Sequence, residues 1–186
     1  MFRLATPEDL KLFYKLRYEV YKEQNYIDPS IYPEPLETDE FDKKSLHIIA
    51  RLNNERDKVV GGVRLIVCDT FPMESHFPID DKKVPSVEVS RLVVKKGSNE
   101  NHDVMIGLLI KACEVGFNHG LVHWYAAADV RLIRLLRSLN IVFHRLGGKK
   151  EYMGSKSVSI YINIYEAVEH YSRRYPERIV LQKIAI

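Results

Sequence analysis

The segment "PSVEVSRLVVKK", residues 85–96, decides the fold of this chain. Its valine and leucine residues predict a β-strand. The amphipathic stretch "HDVMIGLLIKACEVGFNHG", residues 102–120, predicts a helix, and "LVHWYAAAD", residues 121–129, predicts a second strand. A strand, a helix and a strand in this order predict a β-α-β crossover within one sheet.

Polar residues interrupt the first of these strands. Period-two alternation places Glu88 and Ser90 on one face of the strand and Val89 and Arg91 on the other. A central strand that is buried on both faces normally carries apolar side chains. Either the strand is half exposed, with Glu88 or Arg91 paired to Arg64 of a neighbouring strand, or its polar residues line a cleft.

The remaining elements extend this sheet in both directions along the chain. Upstream we predict a helix, a long polar loop and two strands; downstream we predict an arginine-rich helix, an alternating strand and a final helix. A further strand is considered at "VFHRLG". The order is that of a mixed α/β (α+β) sheet with helices on both faces, and it matches the GNAT acyltransferase fold, as one domain over residues 1–186. The predicted helices cover residues 5–24, 130–140 and 166–175, and the predicted strands cover residues 46–52, 59–67 and 157–165.

Charge and composition narrow the function classes. The net charge is +3, but residues 1–93 hold 14 Lys and Arg against 17 Asp and Glu, whereas residues 94–186 hold 14 against 8. The basic half suits an acidic or phosphate-bearing partner, or is an ordinary solvated surface, and it is too weakly basic to predict nucleic-acid binding. Cys68 and Cys113 lie in apolar stretches and are expected to be reduced. We expect no metal site, no transmembrane segment and a cytoplasmic location.

An acidic run, "ETDEFD", covers residues 37–42. Like charges this close repel each other unless a cation lies among them. Arg17 on the first helix is a candidate partner. The alternative is a solvated acidic loop.

Three motifs together, "ETDEFD", "GGVRL" and "VEVSRLVV", resemble those of the acyl-homoserine-lactone synthases and of their relatives, the long-chain N-acyl amino acid synthases. Both groups are GNAT acyltransferases that take an acyl chain from acyl carrier protein. The spacing agrees from residue 14 to about residue 94. The matching residues are Arg17, Asp39, Asp42, Arg64, Phe77, Glu88, Ser90 and Arg91.

The departures from the lactone synthases favour the amino acid branch. Lactone synthases carry a tryptophan after the first helix, where this chain has Tyr26 and Ile27, and its only tryptophan is Trp124. The stretches "DEFDKKSLHII" and "LIRLLRSLNIVFHRLGG" resemble the N-acyl amino acid synthases and the acyltransferases associated with exosortase gene clusters. The resemblance therefore implies an amino acid, rather than S-adenosylmethionine, as the acyl acceptor.

The resemblance also implies catalytic roles. Glu88 is the predicted general base for the acceptor amine, or it holds that amine by charge while another group is the base. Ser90 either bonds the tetrahedral intermediate or caps a backbone group. Backbone N–H groups near Leu92 and Val93 are expected to donate to the thioester oxygen.

Substrate binding is predicted for Arg64, Arg91 and Phe77. The two arginines either clamp the acceptor carboxylate with paired hydrogen bonds or are structural partners of nearby carboxylates. The apolar stretches "MIGLLI", "WYAAA" and "LIRLL" either line an acyl tunnel or belong to the ordinary core. We expect a structural ion-pair network to organise the N-terminal loop, formed by Arg17, Asp39 and Asp42.

The turn "KKGSNENHDV", residues 95–104, bears on the acyl donor. It has one glycine, Gly97, and is therefore a poor cradle for the pyrophosphate of coenzyme A. The acyl-phosphopantetheine of acyl carrier protein needs only one phosphate site, so this acidic carrier is the predicted donor and partner, with acyl-CoA as the alternative and no tightly bound cofactor. The predicted carrier-docking residues are Lys95, Lys96, Arg131, Arg134, Lys149 and Lys150.

Three functions follow from these observations. The favoured one is an enzyme that moves a long-chain fatty acyl group from acyl carrier protein to the amine of an amino acid. The second is an acyl-homoserine-lactone synthase that uses S-adenosylmethionine. The third is a non-catalytic acyl-binding or carrier-binding module.

Overall fold

The computed structural model describes residues 1–52, 58–96 and 101–174. Two compact units are present, and each is built from two separate stretches of chain. Unit 1 comprises Met1–Val67 and Val89–Ala112, and unit 2 comprises Cys68–Glu88 and Cys113–Ile186.

Seven strands and four α-helices lie within the described ranges. The strands are β1 (Phe2–Leu4), β2 (Ser45–Arg51), β3 (Val59–Ile66), β4 (Ser86–Val94), β5 (His123–Asp129), β6 (His144–Tyr152) and β7 (Ser155–Asn163). The helices are α1 (Pro7–Glu23), α2 (Asn101–Asn118), α3 (Val130–Ser138) and α4 (Ile164–Arg174). Short 3₁₀ turns occur in the loops, at Pro29–Ile31, Glu40–Lys44 and Pro72–Ser75.

Unit 1 contains the strand order β1-β2-β3-β4. The β1/β2 and β2/β3 pairs are antiparallel. Helix α1 begins with Pro7 at its first position, and the carboxylate of Asp9 accepts the Thr6 backbone N–H at 2.8 Å, as expected for an acidic group at a helix N-terminus.

Two adjacent glycines in β3 show how helices cover both faces of the strands in unit 1. A side chain at Gly62 would collide with the ring of Phe13 in α1. A side chain at Gly61 would place its Cβ 3.0 Å from Leu108 and 3.1 Å from Val104 in α2. Neighbouring residues of a strand face opposite sides, so α1 and α2 pack on opposite faces.

Unit 2 contains the strand order β4-β5-β7-β6. Strand β4 pairs in parallel with β5 from Ser86↔His123 to Glu88↔Tyr125, while the β5/β7 and β6/β7 pairs are antiparallel. The residues of β6 are exposed, with the exception of the half-buried Tyr152.

The predicted fold class is confirmed, because the strands form a seven-stranded mixed sheet with α-helices packed against it. The strand considered at residues 142–147 is present as β6, although it begins at His144. Strand β1 was missed, since three residues carry too little periodicity to predict a strand. The polar turn before β3 and the turn around Gly97 fall largely outside the described residues, and the single domain stays a prediction.

Among the described helices, none is both long and apolar enough to cross a membrane.

Candidate active site

Six charged side chains of unit 1 form what we call the arginine–carboxylate network. Three arginines and three carboxylates alternate within it, so the formal charges balance. Its members are Arg17, Arg64, Arg91, Glu37, Asp39 and Asp42.

Arg17 reaches the network from α1. Its side chain is 0% exposed. It donates from Nε to Glu37, and from Nη1 to Asp42 Oδ1 at 2.7 Å. An arginine can be buried to this degree because both carboxylates offset the cost of removing its charge from water.

Arg64 and Arg91 enter the network from β3 and β4 and meet at Asp39. Arg64 Nη1 lies 2.6 Å from Asp39 Oδ1, and Arg91 Nη2 lies 3.0 Å from Asp39 Oδ2. Arg64 Nε also donates to Ser90 Oγ at 3.0 Å, while Arg91 donates to Glu37 at 2.8 Å. Arg64 Nη2 is buried without a hydrogen-bond partner among the described residues.

The electrostatics of the network keep Glu37 and Asp42 charged. Burial alone would raise the pKa of Glu37, but the positive charges of Arg91 and Arg17 outweigh it and hold this pKa below its ordinary value. Burial is opposed in the same way at Asp42, whose pKa is lowered by hydrogen bonds and charge from Arg17. Glu37 and Asp42 are therefore ionised at neutral pH.

The backbone of β4 departs from simple alternation at Arg91, whose φ is +54°. Alternation predicted Ser90 and Arg91 on opposite faces. The structure corrects this, because Ser90 bonds Arg64, and Arg64 and Arg91 both bond Asp39. A positive φ at a non-glycine residue costs about 1–3 kcal/mol, which the bonds of the Arg91 guanidinium offset.

Glu88 lies in unit 2 and has different surroundings. Its side chain is buried, and Oε2 accepts the backbone N–H of Met73 at 3.0 Å. Its register partner on β5 is Tyr125, which pairs in turn with Tyr161 on β7. Met73, Tyr125 and Tyr161 belong to a buried group of side chains that we call the aromatic cluster, whose members are Phe71, Met73, Phe77, Tyr125 and Tyr161.

Phe77, which is predicted to bind substrate, is packed within this cluster. It is 3% exposed, and its ring centroid lies 5.8 Å from that of Tyr152 in an edge-to-face arrangement. The predicted roles of Glu88 and Ser90 in catalysis, and of Phe77, Arg64 and Arg91 in substrate binding, stay predictions.

A basic cavity of about 240 Å³ lies in unit 2, between α3 and the β6–β7 hairpin. Apolar residues such as Ile133 and Val158 form part of its wall, and the lining contains no carboxylate. Its cations make no ion pair within the described part of the chain. The cations that line it are Arg134, Arg137, Arg145, Lys149 and Lys156.

The predicted carrier-docking residues do not all gather at this cavity. Arg134 and Lys149 line it. Arg131 lies 3.6 Å from the carboxylate of Asp129, and Lys150 Nζ donates to a backbone carbonyl at 2.6 Å. The two remaining candidates, Lys95 and Lys96, belong to unit 1.

Comparison with known proteins identifies the chain. Residues 13–162 match the family described as N-acyl amino acid synthase FeeM. The chain belongs to the FeeM family of N-acyl amino acid synthases. The activity is therefore that of an N-acyltransferase, and the predicted enzyme class is confirmed.

Solved structures agree with this family in fold. The FeeM synthase from uncultured soil microbes is 12% identical, with a TM-score of 0.69 over 91% of this chain and 95% of that chain. MesI, a CoA-dependent acyl-homoserine lactone synthase, is 25% identical, with a TM-score of 0.69 over 95% of each chain. The acyl-homoserine-lactone synthase LasI is 14% identical, with a TM-score of 0.75 over 91% and 95%. No curated protein sequence matches this chain.

Sequence reasoning missed several residues of these sites. Glu37 was seen as part of an acidic run but was not assigned to the network, although its position two residues before Asp39 was a usable signal. The amide of Met73 carries no signal in its side chain. Arg137, Arg145 and Lys156 lie apart in sequence, and only the folded hairpin brings Arg145 and Lys156 beside Arg137 of α3.

Proposed function

We propose that this member of the FeeM family transfers a long-chain fatty acyl group from the thioester of acyl carrier protein to the amine of an amino acid. The observation that carries the proposal is the environment of the Glu88 side chain. Its carboxylate is buried against the aromatic cluster and is oriented by the Met73 amide, as a positioned proton acceptor needs to be.

In the proposed reaction, the acceptor nitrogen attacks the carbonyl carbon of the thioester. The C–N bond forms, the C–S bond breaks, one amine proton passes to Glu88, and the leaving thiolate takes up a proton. The hydroxyl of Ser90, whose oxygen accepts a bond from Arg64, keeps its own proton available to donate. Backbone N–H groups near Leu92 and Val93 are the proposed donors to the oxyanion.

The basic cavity supports a donor that carries phosphate. Guanidinium groups such as Arg134, Arg137 and Arg145 bind phosphate oxygens through charge-assisted hydrogen bonds. An acidic carrier protein adds long-range attraction to the same face, which suits the carrier more than a free cofactor. The similarity to MesI, which is CoA-dependent, makes acyl-CoA the competing donor.

The test uses the purified chain with palmitoyl-acyl carrier protein or palmitoyl-CoA and a pool of the standard amino acids, with products identified by mass spectrometry. We expect an N-acyl amino acid, with kcat/KM at least about tenfold higher for the carrier thioester, and a further loss for that donor when Arg137 and Arg145 are both changed to Glu. A preference for palmitoyl-CoA would overturn the carrier part of the proposal.

Glu88→Gln tests the base. Glutamine keeps the shape and can still accept the Met73 N–H through its carbonyl oxygen. General base catalysis contributes about 10²–10⁴-fold, so kcat should fall by about 100-fold or more while the melting temperature is retained. If KM for the amino acid rises instead and kcat holds, Glu88 anchors the amine by charge. Unchanged kinetics would remove Glu88 from the reaction.

A second function, synthesis of an acyl-homoserine lactone, is supported by the similarity to MesI. Adding S-adenosylmethionine to the same assay distinguishes the two, because a lactone product would replace the main proposal. Carrier binding without any product would instead support a binding module. A cytoplasmic location stays a prediction.

A further inference from the structure

Three lysines of unit 2 place positive charge directly over the aromatic cluster. The ammonium nitrogens of Lys82, Lys83 and Lys150 lie 4.3, 4.7 and 5.7 Å from the centroids of rings in that cluster. Each distance is within the range of a cation–π contact. The surface above the cluster is therefore positive.

The three ammonium groups differ in what else they bind. Lys82 Nζ lies 2.5 Å from the carboxylate of Glu74, and Lys150 Nζ donates to a backbone carbonyl at 2.6 Å. Lys83 Nζ has no ion pair or hydrogen bond within the described residues; its contact is with the ring of Tyr161. Of these three cations, Lys83 has the most capacity to take an anionic ligand.

Lys83 is also tied to the part of the sheet that carries Glu88. Its backbone N–H donates to Tyr125 Oη at 2.9 Å, and Tyr125 is the register partner of both Glu88 and Tyr161. Two strand spacings, about 10 Å, therefore separate the backbone of Glu88 from that of Tyr161, whose ring lies under the Lys83 ammonium. Burial lowers the pKa of His123, and the positive charge of the nearby Lys83 lowers it further.

An α-amino acid carries one group of each charge. A carboxylate at Glu88 and an ammonium at Lys83 are complementary to the amine and carboxylate of the acceptor. The arginine–carboxylate network offers no such excess of positive charge, because its three arginines are already balanced by three carboxylates.

We propose that Lys83 binds the carboxylate of the amino acid acceptor and so selects amino acids over simple amines. This inference rests on the proposed function, because it needs the acceptor amine to lie at Glu88.

The experiment measures kcat/KM for wild type and Lys83→Met with two acceptors that share a side chain, leucine and isoamylamine. If another amino acid is acylated faster than leucine, that amino acid and its decarboxylated amine are used as the pair instead. We expect Lys83→Met to lower kcat/KM about tenfold for the amino acid, through KM, and to leave the amine unchanged. Lys83→Arg should restore most of the preference.

Lys82→Met is the matched control. It removes the neighbouring ammonium, which also covers the aromatic cluster but is already bonded to Glu74. Its ratio of the two kcat/KM values should equal that of wild type. Equal losses for both acceptors in Lys83→Met, or no loss, would overturn the inference while leaving the proposed function intact. Failure of wild type to acylate any amino acid would refute the proposed function itself.

Discussion

Replacing Arg17 by methionine should destabilise the protein strongly. Methionine fills a similar volume without charge, so the main change is that Glu37 and Asp42 lose their shared buried cation. Removing one partner of a buried ion pair costs about 3–5 kcal/mol, and here two arginines would be left to balance three carboxylates, so one buried negative charge would stay uncompensated. For a chain of this size that corresponds to a melting temperature lower by about 10 °C.

The measurement is urea denaturation followed by circular dichroism, with Lys15→Met as the control. Lys15 is exposed on the same helix, and its replacement should change the free energy of unfolding by less than about 0.5 kcal/mol. A loss below about 1 kcal/mol in Arg17→Met would refute the view that the network stabilises unit 1.

The pH dependence of the same variant gives a second check. The pKa values of Glu37 and Asp42 are lower in the folded protein than in the unfolded chain, so they contribute stability at neutral pH that is lost as the pH falls through the folded values. The difference between wild type and Arg17→Met should therefore be largest at neutral pH and should shrink below about pH 4.

Three further predictions follow from the surroundings of single residues. Gly62→Ala should lower the melting temperature, because its Cβ would collide with the buried ring of Phe13 at a cost of about 1–3 kcal/mol; Gly148→Ala, with open space around it, should leave that temperature unchanged. Burial lowers the pKa of His47, so stability should fall as the pH drops from 7 to 5, and the urea midpoint of His47→Gln should fall less over that range. Burial raises the pKa of the Cys113 thiol to about 12. Iodoacetamide at pH 8 should therefore label this thiol at least about 100-fold more slowly in the native protein than in urea, as read by peptide mass spectrometry. Equal labelling rates would contradict the burial of this thiol.

Local pattern was enough to predict much of this fold. Apolar periodicity over residues 102–120 predicted α2, and the runs on either side predicted β4 and β5, because periodicity depends on residues that are close in sequence. The same reasoning singled out Glu88 and Arg91 as polar residues in an apolar strand. It also marked the acidic run at residues 37–42 as a place that needs cations.

The tertiary structure decided which charges meet. Arg91 binds Glu37 across 54 residues of sequence, and it shares Asp39 with Arg64, which comes from another strand. Glu88, only three positions before Arg91, instead accepts the amide of Met73. Ion pairs depend on distances through space, which the order of elements does not specify. The sequence therefore named most members of the candidate site, and the folded chain assigned their partners.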